Sequence, residues 1–286
     1  MASTLTSLFL RYALWSRRNL FTAICATGFG LIVLLALLAP WLGLTDPAGI
    51  DFASKLLPPS SSHWFGTDGL GRDIFSGVVF GARVSLLVAL GVVVIAAAIG
   101  IPIGLMAGYT GGWVDTLLMR ISDVFLAFPP LLLPITLSAL LGPGLFNTML
   151  AVAISWFPWY ARIVRSTVLT VKSDLYVQAA RGIGTDAVSI AWRHVLPNSL
   201  GPVTVQASLD FGFAILTTAS LSFIGLGAVP PTVEWGLMVA NSRSVFLEYW
   251  WTAMFPGMAI FLTVFFANVV VDGIRDALDP KLAKSQ

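Results

Sequence analysis

The chain has 286 residues, of which 57% are hydrophobic and only 10% charged, and its mean hydropathy is +0.88. A water-soluble domain of this size cannot hide that much apolar surface, so lipid must be the solvent for much of it. A net charge of +2 gives no support to a nucleic-acid partner, and the lone cysteine, Cys25, excludes an intrachain disulfide.

A span needs roughly 20 mostly apolar residues, and in chain order the first such stretch covers residues 20–42. It follows Arg11, Arg17 and Arg18. Its apolar run is too long for a cleavable signal, and Pro40 follows the one small-residue cleavage candidate, so it reads as a retained anchor. The Gly-rich string from Gly66 to Asp73 comes next. With Asp68 and Asp73 as its only carboxylates it falls short of a calcium loop. The second span covers 84–108, where Gly100, Gly104 and Gly108 recur every fourth residue and let another helix backbone approach closely.

Residues 124–160 carry no charge and are too many for one span. Leu141-Gly142-Pro143-Gly144 supplies a tight turn that divides them into two short helices. Pro129, Pro130 and Pro134 crowd the first of these and predict an irregular stretch, which either lines a pathway or only kinks a structural helix. The fifth and sixth spans cover 201–228 and 252–271. Asp210 is the single ionisable side chain well inside a span; such a group faces the transport path, a partner helix or the interface. The expectation is an all-α polytopic membrane protein with about six transmembrane helices.

Placement of Lys and Arg orients the spans. The N-terminal tail, the segment after the second span, residues 161–200 and the C-terminal tail hold 3, 1, 5 and 3 of them, twelve of the 16. The opposite segments hold Lys55, Arg72, Arg83 and Arg243, so the positive-inside rule puts both termini in the cytoplasm. Trp156, Trp159 and Tyr160, with Tyr249, Trp250 and Trp251, fit either interfacial belts or ordinary packing. No enzyme is visible in the polar segments. His63 and His194 fall on opposite sides of the membrane, which excludes a histidine metal pair, and no lysine follows glycine as a phosphate-binding loop requires. If ATP drives this chain, another chain binds it.

The segment after the fourth span is the most informative. Asp174 begins a helical run over 175–183, which Gly184 closes in a left-handed conformation. Thr185 is placed to cap a second helix that starts with Asp186 and ends before Pro197, because the proline restricts Leu196. The result is a bent pair of short helices. Ala179, Ala180 and Ala187 keep it slender, while Ile190, Trp192 and Val195 offer apolar anchors. It suits either a groove in another protein or the membrane surface.

At this spacing Gln178-Ala179-Ala180, Gly184 and Leu196-Pro197 resemble the cytoplasmic EAA loop of binding-protein-dependent ABC permeases. Gln178 stands where Glu is typical and His194 where an aliphatic residue is common, but Arg193 to Asn198 is similar to the version in the dipeptide and oligopeptide permease C-subunit family. Three more blocks extend the resemblance: His63 to Asp73 with Gly81 to Leu86; Leu221 to Gly227 with Pro230-Pro231 and Glu234-Trp235-Gly236; and Asp272 to Pro280.

The resemblance implies a type I importer permease fold in the bacterial cytoplasmic membrane. Its parts are an anchor over 1–50, an external loop over 51–83, a permease core over 84–272 that includes the coupling loop 161–200, and a cytoplasmic tail over 273–286. The chain itself is non-catalytic, with no metal site and no cofactor of its own. The implied partners are a homologous sister permease, two cytoplasmic ATPase subunits that bind ATP and Mg, an external binding protein, and lipid. Gln178, Ala179, Ala180, Gly184, Ile190, His194, Leu196 and Pro197 are then the residues that dock the ATPases. Asp210, Pro129 and Pro130 are the candidates for the translocation path. The implied cargo is a dipeptide or oligopeptide; similar permeases carry nickel chelates, glutathione, haem or short oligosaccharides.

Overall fold

The structure, a computed structural model, describes residues 20–278. Arg11, Arg17, Arg18, Lys281, Lys284 and the end of the third resemblance block lie outside them. In chain order the helices are α1 (Leu20–Leu38), α2 (Ile74–Thr110), α3 (Gly112–Leu126), α4 (Leu132–Leu141), α5 (Leu145–Val171), α6 (Leu175–Gly182) and α7 (Ala187–Ile190). A π-helical turn (Ala191–Val195), α8 (Leu196–Ser199), α9 (Gly201–Phe223), α10 (Trp235–Asn241) and α11 (Trp251–Leu278) follow. Among the described residues there is no strand, only an isolated bridge between Thr67 and Asp73.

Two compact units divide the chain: the described residues up to Val84 with those from Val233 onward, and Ser85–Thr232. In the first, α1 packs along α11. Small residues permit this, since a Cβ on Gly28 would come within 2.6 Å of the Phe266 ring. The loop from Asp51 to Asp73 is held by its own side chains. Thr67 is buried; its hydroxyl donates to the Ser54 carbonyl at 2.5 Å and accepts from the Leu57 amide at 2.8 Å. Asp68 accepts from the Leu70 and Arg72 amides and from Arg72 Nε at 2.7 Å. Asp73 accepts from the Ser76 amide at the start of α2 and meets His63 Nδ1 at 3.1 Å. Gly71 has φ +77°, and a Cβ there would collide with the Asp51 carbonyl. The Gly66 to Asp73 string is therefore occupied with folding a loop.

The block Glu234-Trp235-Gly236 is also structural. Glu234 caps α10 by accepting from the Gly236 and Leu237 amides, and the buried Trp235 donates Nε1–H to the Val78 carbonyl at 2.9 Å.

In the second unit α5 is the central helix, packed by α3, α4, α8 and α9. The glycine row on α2 does what its spacing predicts: Cβ atoms at Gly100 and Gly108 would lie 2.5 Å from the Phe157 carbonyl and 2.8 Å from Val168, and one at Gly104 would strike the Ala161 carbonyl. The turn at Gly142 and Gly144 is present, with φ +85° and +148° between α4 and α5. Residues 127–131, with Pro129 and Pro130, form the expected break between α3 and α4. The second helix of that pair is not short, however. α5 runs 27 residues to Val171, because Arg162 and Arg165, which end the lipid-compatible stretch, are good helix formers and no glycine or proline follows them to end the helix.

Apolar helical segments thus match the expected spans in α1, α2, α4, α5, α9 and α11. By length and composition three helical stretches suffice to cross a membrane: Leu20–Trp41, Ile74–Thr110 and Trp251–Gly273. Ala187–Ser199 and Gly201–Phe223, bent by 54° at the break between them, raise this to four when the pair is taken as one span. α4 has ten residues, and α5 carries Arg162 and Arg165 in its second half.

Candidate functional site

The bent pair of helices forms as an elbow between α5 and α9. Its first arm, α6, closes through a Schellman motif: the Gly184 amide donates to the Arg181 carbonyl at 3.0 Å and the Thr185 amide to the Ala180 carbonyl at 3.1 Å, with φ +86° at Gly184. This is the closure expected of Gly184. The cap of the second arm differs by one residue. Thr185 is occupied by that closure, and Asp186 caps α7 instead, its carboxylate accepting from the Ser189 amide at 2.8 Å.

The second arm also passes through Pro197 rather than ending before it. In the π-helical turn hydrogen bonds reach one residue further, which widens the helix where the proline ring would meet the carbonyl four residues back. Pro197 then falls in the first turn of α8, where its missing amide is tolerated, and Leu196 stays helical at φ −58°, ψ −50°. The His194 carbonyl in this turn accepts from Asn198 Nδ2 at 2.7 Å and from the Tyr176 hydroxyl at 3.4 Å.

Of the residues expected at the docking surface, Gln178, Ala179, Gly184 and Pro197 are exposed and His194 is half-buried. Ala180, Ile190 and Leu196 face inward, in one cluster with Val164, Val168, Val177 and Val195. Ile190 and Val195 are thus not outward anchors: the 3.6-residue period that makes them apolar serves this chain's own core. The apolar groups that the elbow exposes are Leu175, Ile183, Val188 and Trp192, at 83%, 85%, 68% and 53%. Gln178 donates Nε2–H to the Ser173 carbonyl at 2.9 Å, a bond that a glutamate in its place could not donate.

The elbow is fastened at its root by contacts that have no local signal in the sequence. Arg165 on α5 makes a two-pronged pair with Asp115 on α3 at 2.5 and 2.6 Å, and Arg162 meets Asp123 at 2.5 Å. Hydrogen bonds from the Arg165 guanidinium hold the Asp115 carboxyl below the usual carboxylate range. Lys172 donates to the Gly108 carbonyl at 2.7 Å, and the Arg181 guanidinium lies 5.6 Å over the Tyr109 ring. An apolar hollow of about 310 Å³ lies between the end of α2, at Met106 and Tyr109, and the second arm, at Val188 and Trp192.

The other candidates do not join the elbow. Pro129 and Pro130 are exposed at the α3–α4 break. Asp210 lies on α9, where it accepts from Gln206 Nε2 at 2.8 Å and faces the buried Tyr160 hydroxyl of α5.

Residues 100–284 match the family described as binding-protein-dependent transport system inner membrane component. The chain is 50% identical over 256 residues to the probable D,D-dipeptide transport system permease protein of Escherichia coli strain K12, covering 90% of this chain and 86% of that one. It is 46% identical over 250 residues to the dipeptide transport system permease protein of Alkalihalophilus pseudofirmus (87% and 82% covered). To the glutathione transport system permease protein of Pectobacterium atrosepticum it is 45% identical over 262 residues (90% and 87%). Among solved structures, a chain of the MetNI methionine ABC transporter in an inward-facing conformation superposes with a TM-score of 0.56 at 18% identity, covering 71% of this chain and 96% of that one. That likeness concerns the fold.

Proposed function

Because the chain belongs to the binding-protein-dependent transport system inner membrane components, we propose that it is a permease subunit that imports short peptides across the bacterial cytoplasmic membrane, using ATP hydrolysed by partner chains. The observation that carries the cargo is the 50% identity, over nine-tenths of the chain, to a relative named for D,D-dipeptide transport. Glutathione, named for another relative, is itself a small peptide and falls within the same class.

In this reading a sister permease completes the pathway, two cytoplasmic ATPase subunits dock on the paired elbows, and an external binding protein delivers the peptide. Both termini are cytoplasmic. The elbow is the transmitting part. Its exposed Leu175, Ile183, Val188 and Trp192 suit an apolar groove, its Ala179 leaves room for close approach, and its root is fixed to α2 and α3 by Arg165, Lys172 and Arg181. ATP binding brings the two ATPases together, which biases a lever with two positions and turns the pathway outward; hydrolysis lets it return.

The test is to purify the partner binding protein, identify its bound ligand by mass spectrometry, and offer that ligand to the reconstituted complex with ATP. A short peptide that is taken up supports the reading. A nickel chelate, haem or an oligosaccharide would overturn the cargo and keep the permease.

A further inference from the structure

In the first unit a cavity of about 440 Å³ lies between α1, α2 and α11. Leu35 lines it from α1, Phe75 and Val79 from α2, and Met254 and Met258 from α11, with Phe65 of the loop beside them. Phe65 stacks on Phe255 with ring centroids 4.0 Å apart and meets the edge of Phe75 at 5.1 Å. The loop's own ring thus closes the end nearest the starts of α2 and α11. The two polar side chains in the wall are already engaged: Trp235 donates Nε1–H to the Val78 carbonyl, and Thr263 donates its hydroxyl to the Ala259 carbonyl at 2.7 Å. A peptide or a nucleotide brings more polar groups than this wall can satisfy. Water does not fill a cavity lined in this way, which takes up apolar molecules instead.

Leu35, Met254 and Met258 are exposed, so the cavity opens on the faces of α1 and α11. These are the helices whose stretches Leu20–Trp41 and Trp251–Gly273 have the length and composition of membrane spans, and hydrocarbon is therefore the solvent at the mouth. Exposed tryptophans stand at the same end of all three elements: Trp41 after α1, Trp64 in the loop and Trp250 before α11. Trp64 packs on Phe75 at 4.9 Å and Trp250 on Phe255 at 6.1 Å. Such side chains, apolar with one polar tip, mark the level of lipid headgroups. From Met254 to Thr263 the wall runs about 14 Å along α11, away from the tryptophans and towards the membrane centre. Residues 1–19 and 279–286 join α1 and α11 at the opposite ends and could reach the cavity only by entering the membrane. A partner helix, about 10–12 Å across with its side chains, needs more room than this. Left empty, the cavity forfeits dispersion contacts on every wall, and a flexible chain that fills it recovers them.

We propose that this cavity binds one acyl chain of a phospholipid from the outer leaflet, with the headgroup at the level of Trp41, Trp64 and Trp250. Held there, the chain backs Phe65, and through Phe65 the loop from Asp51 to Asp73, so that lipid is a fixed part of the fold at this end of the molecule. The proposal needs the chain in a membrane. It rests on no particular cargo and on no ATPase contact.

The complete complex is reconstituted in vesicles of phosphatidylethanolamine and phosphatidylglycerol with a trace of phosphatidylethanolamine whose acyl chain carries a diazirine. After illumination the labelled residues are located by mass spectrometry, and lipid that survives washing in detergent is counted by native mass spectrometry. Two variants block the cavity: Ala259→Phe from within the wall, and Met258→Trp at the mouth, where an exposed side chain grows without disturbing the core. The wild type is expected to retain a phospholipid, with more label on Phe255 than on Phe261, which is exposed on α11 away from the cavity. Both variants should lose that lipid and that label while Phe261 is labelled as before. Phospholipid added back to the washed complex should raise the melting temperature of the wild type and leave that of the variants unchanged. If Ala259→Phe fails to assemble, Met258→Trp decides alone. Label no heavier on Phe255 than on Phe261, or unchanged by a blocking substitution, would make the contact ordinary solvation by the bilayer and overturn the proposal. A photoreactive benzoylphenylalanine at position 255 that cross-links to the sister permease instead of to lipid would overturn it in favour of a protein occupant. A complex that ignores peptides and still retains the lipid removes the cargo reading and leaves this site standing.

Discussion

Glycines with the same side chain, or lack of one, do different work here. Gly184 has φ +86° and nothing within 4 Å of where a Cβ would stand, so a substitution there meets backbone strain and no clash. Placing valine in that left-handed conformation costs about 1–2 kcal/mol, enough to loosen the Schellman closure. Ala179 is exposed, so a tryptophan fits this chain alone and meets resistance only from a docked partner. Gly184→Val and Ala179→Trp are accordingly expected to leave the chain inserted and paired, while ATPase co-purification and binding-protein-stimulated hydrolysis fall. Gly104→Val, which collides with the Ala161 carbonyl, should instead remove the folded chain. If both elbow substitutions left co-purification, stimulation and uptake intact, the site of transmission would have to be sought around Arg275. Gly184 was legible in the sequence because few other residues take its conformation cheaply. Ile190 and Val195 were misread as anchors because an apolar residue in a short helix carries no sign of which side it faces until its neighbours are known.

At the scale of elements, turns set by local chemistry could be read and pairings across the chain could not. The Gly142–Gly144 turn and the break at Pro129-Pro130 are consequences of adjacent residues. The π-helical turn that carries the chain through Pro197 depends on packing as well, and no motif announces it. Asp115 and Arg165 are separated by 50 positions, and each alone looks like a solvated charge. Their pair yields a pH dependence. Both lie outside the spans read from the sequence, and the Asp115 carboxyl is held below its ordinary range. A carboxylate whose folded pKa is depressed contributes stability above its unfolded value, near about 4, and that contribution is lost as the pH falls through the folded value. The melting temperature of the purified complex should therefore drop as the pH falls below about 4, more steeply in the wild type than in Asp115→Asn. The substitution should cost roughly 1.5–3 kcal/mol at neutral pH, the range for a hydrogen bond to a charged group. Equal acid sensitivity in the two proteins would mean that the pair contributes nothing measurable.

For the whole molecule the open quantity is orientation, which was read from the charge count and rests partly on arginines and lysines outside the described residues. Cys25, the only cysteine, is 1% exposed, so a Cys25→Ser background accepts single reporters cleanly. The structure decides where they belong. Ser242 lies in an external segment by the sequence reading but is 4% exposed, its hydroxyl turned to the Met238 carbonyl, and makes a poor reporter; Leu247, 86% exposed, is a good one. Ser61→Cys and Leu247→Cys are expected to react with a membrane-impermeant thiol reagent in intact cells. Ser173→Cys, at the entrance to the elbow, should react only after lysis. The sequence reading puts Ser61 and Leu247 in two segments on the same side of the membrane, so their labelling has to agree, and disagreement would break the proposed topology at one of the spans between them. Labelling of Ser173 from outside would put the elbow on the side where the binding protein delivers cargo. No cytoplasmic ATPase could then reach Leu175, Ile183, Val188 or Trp192, and the mechanism that couples hydrolysis to the elbow would fall with the orientation.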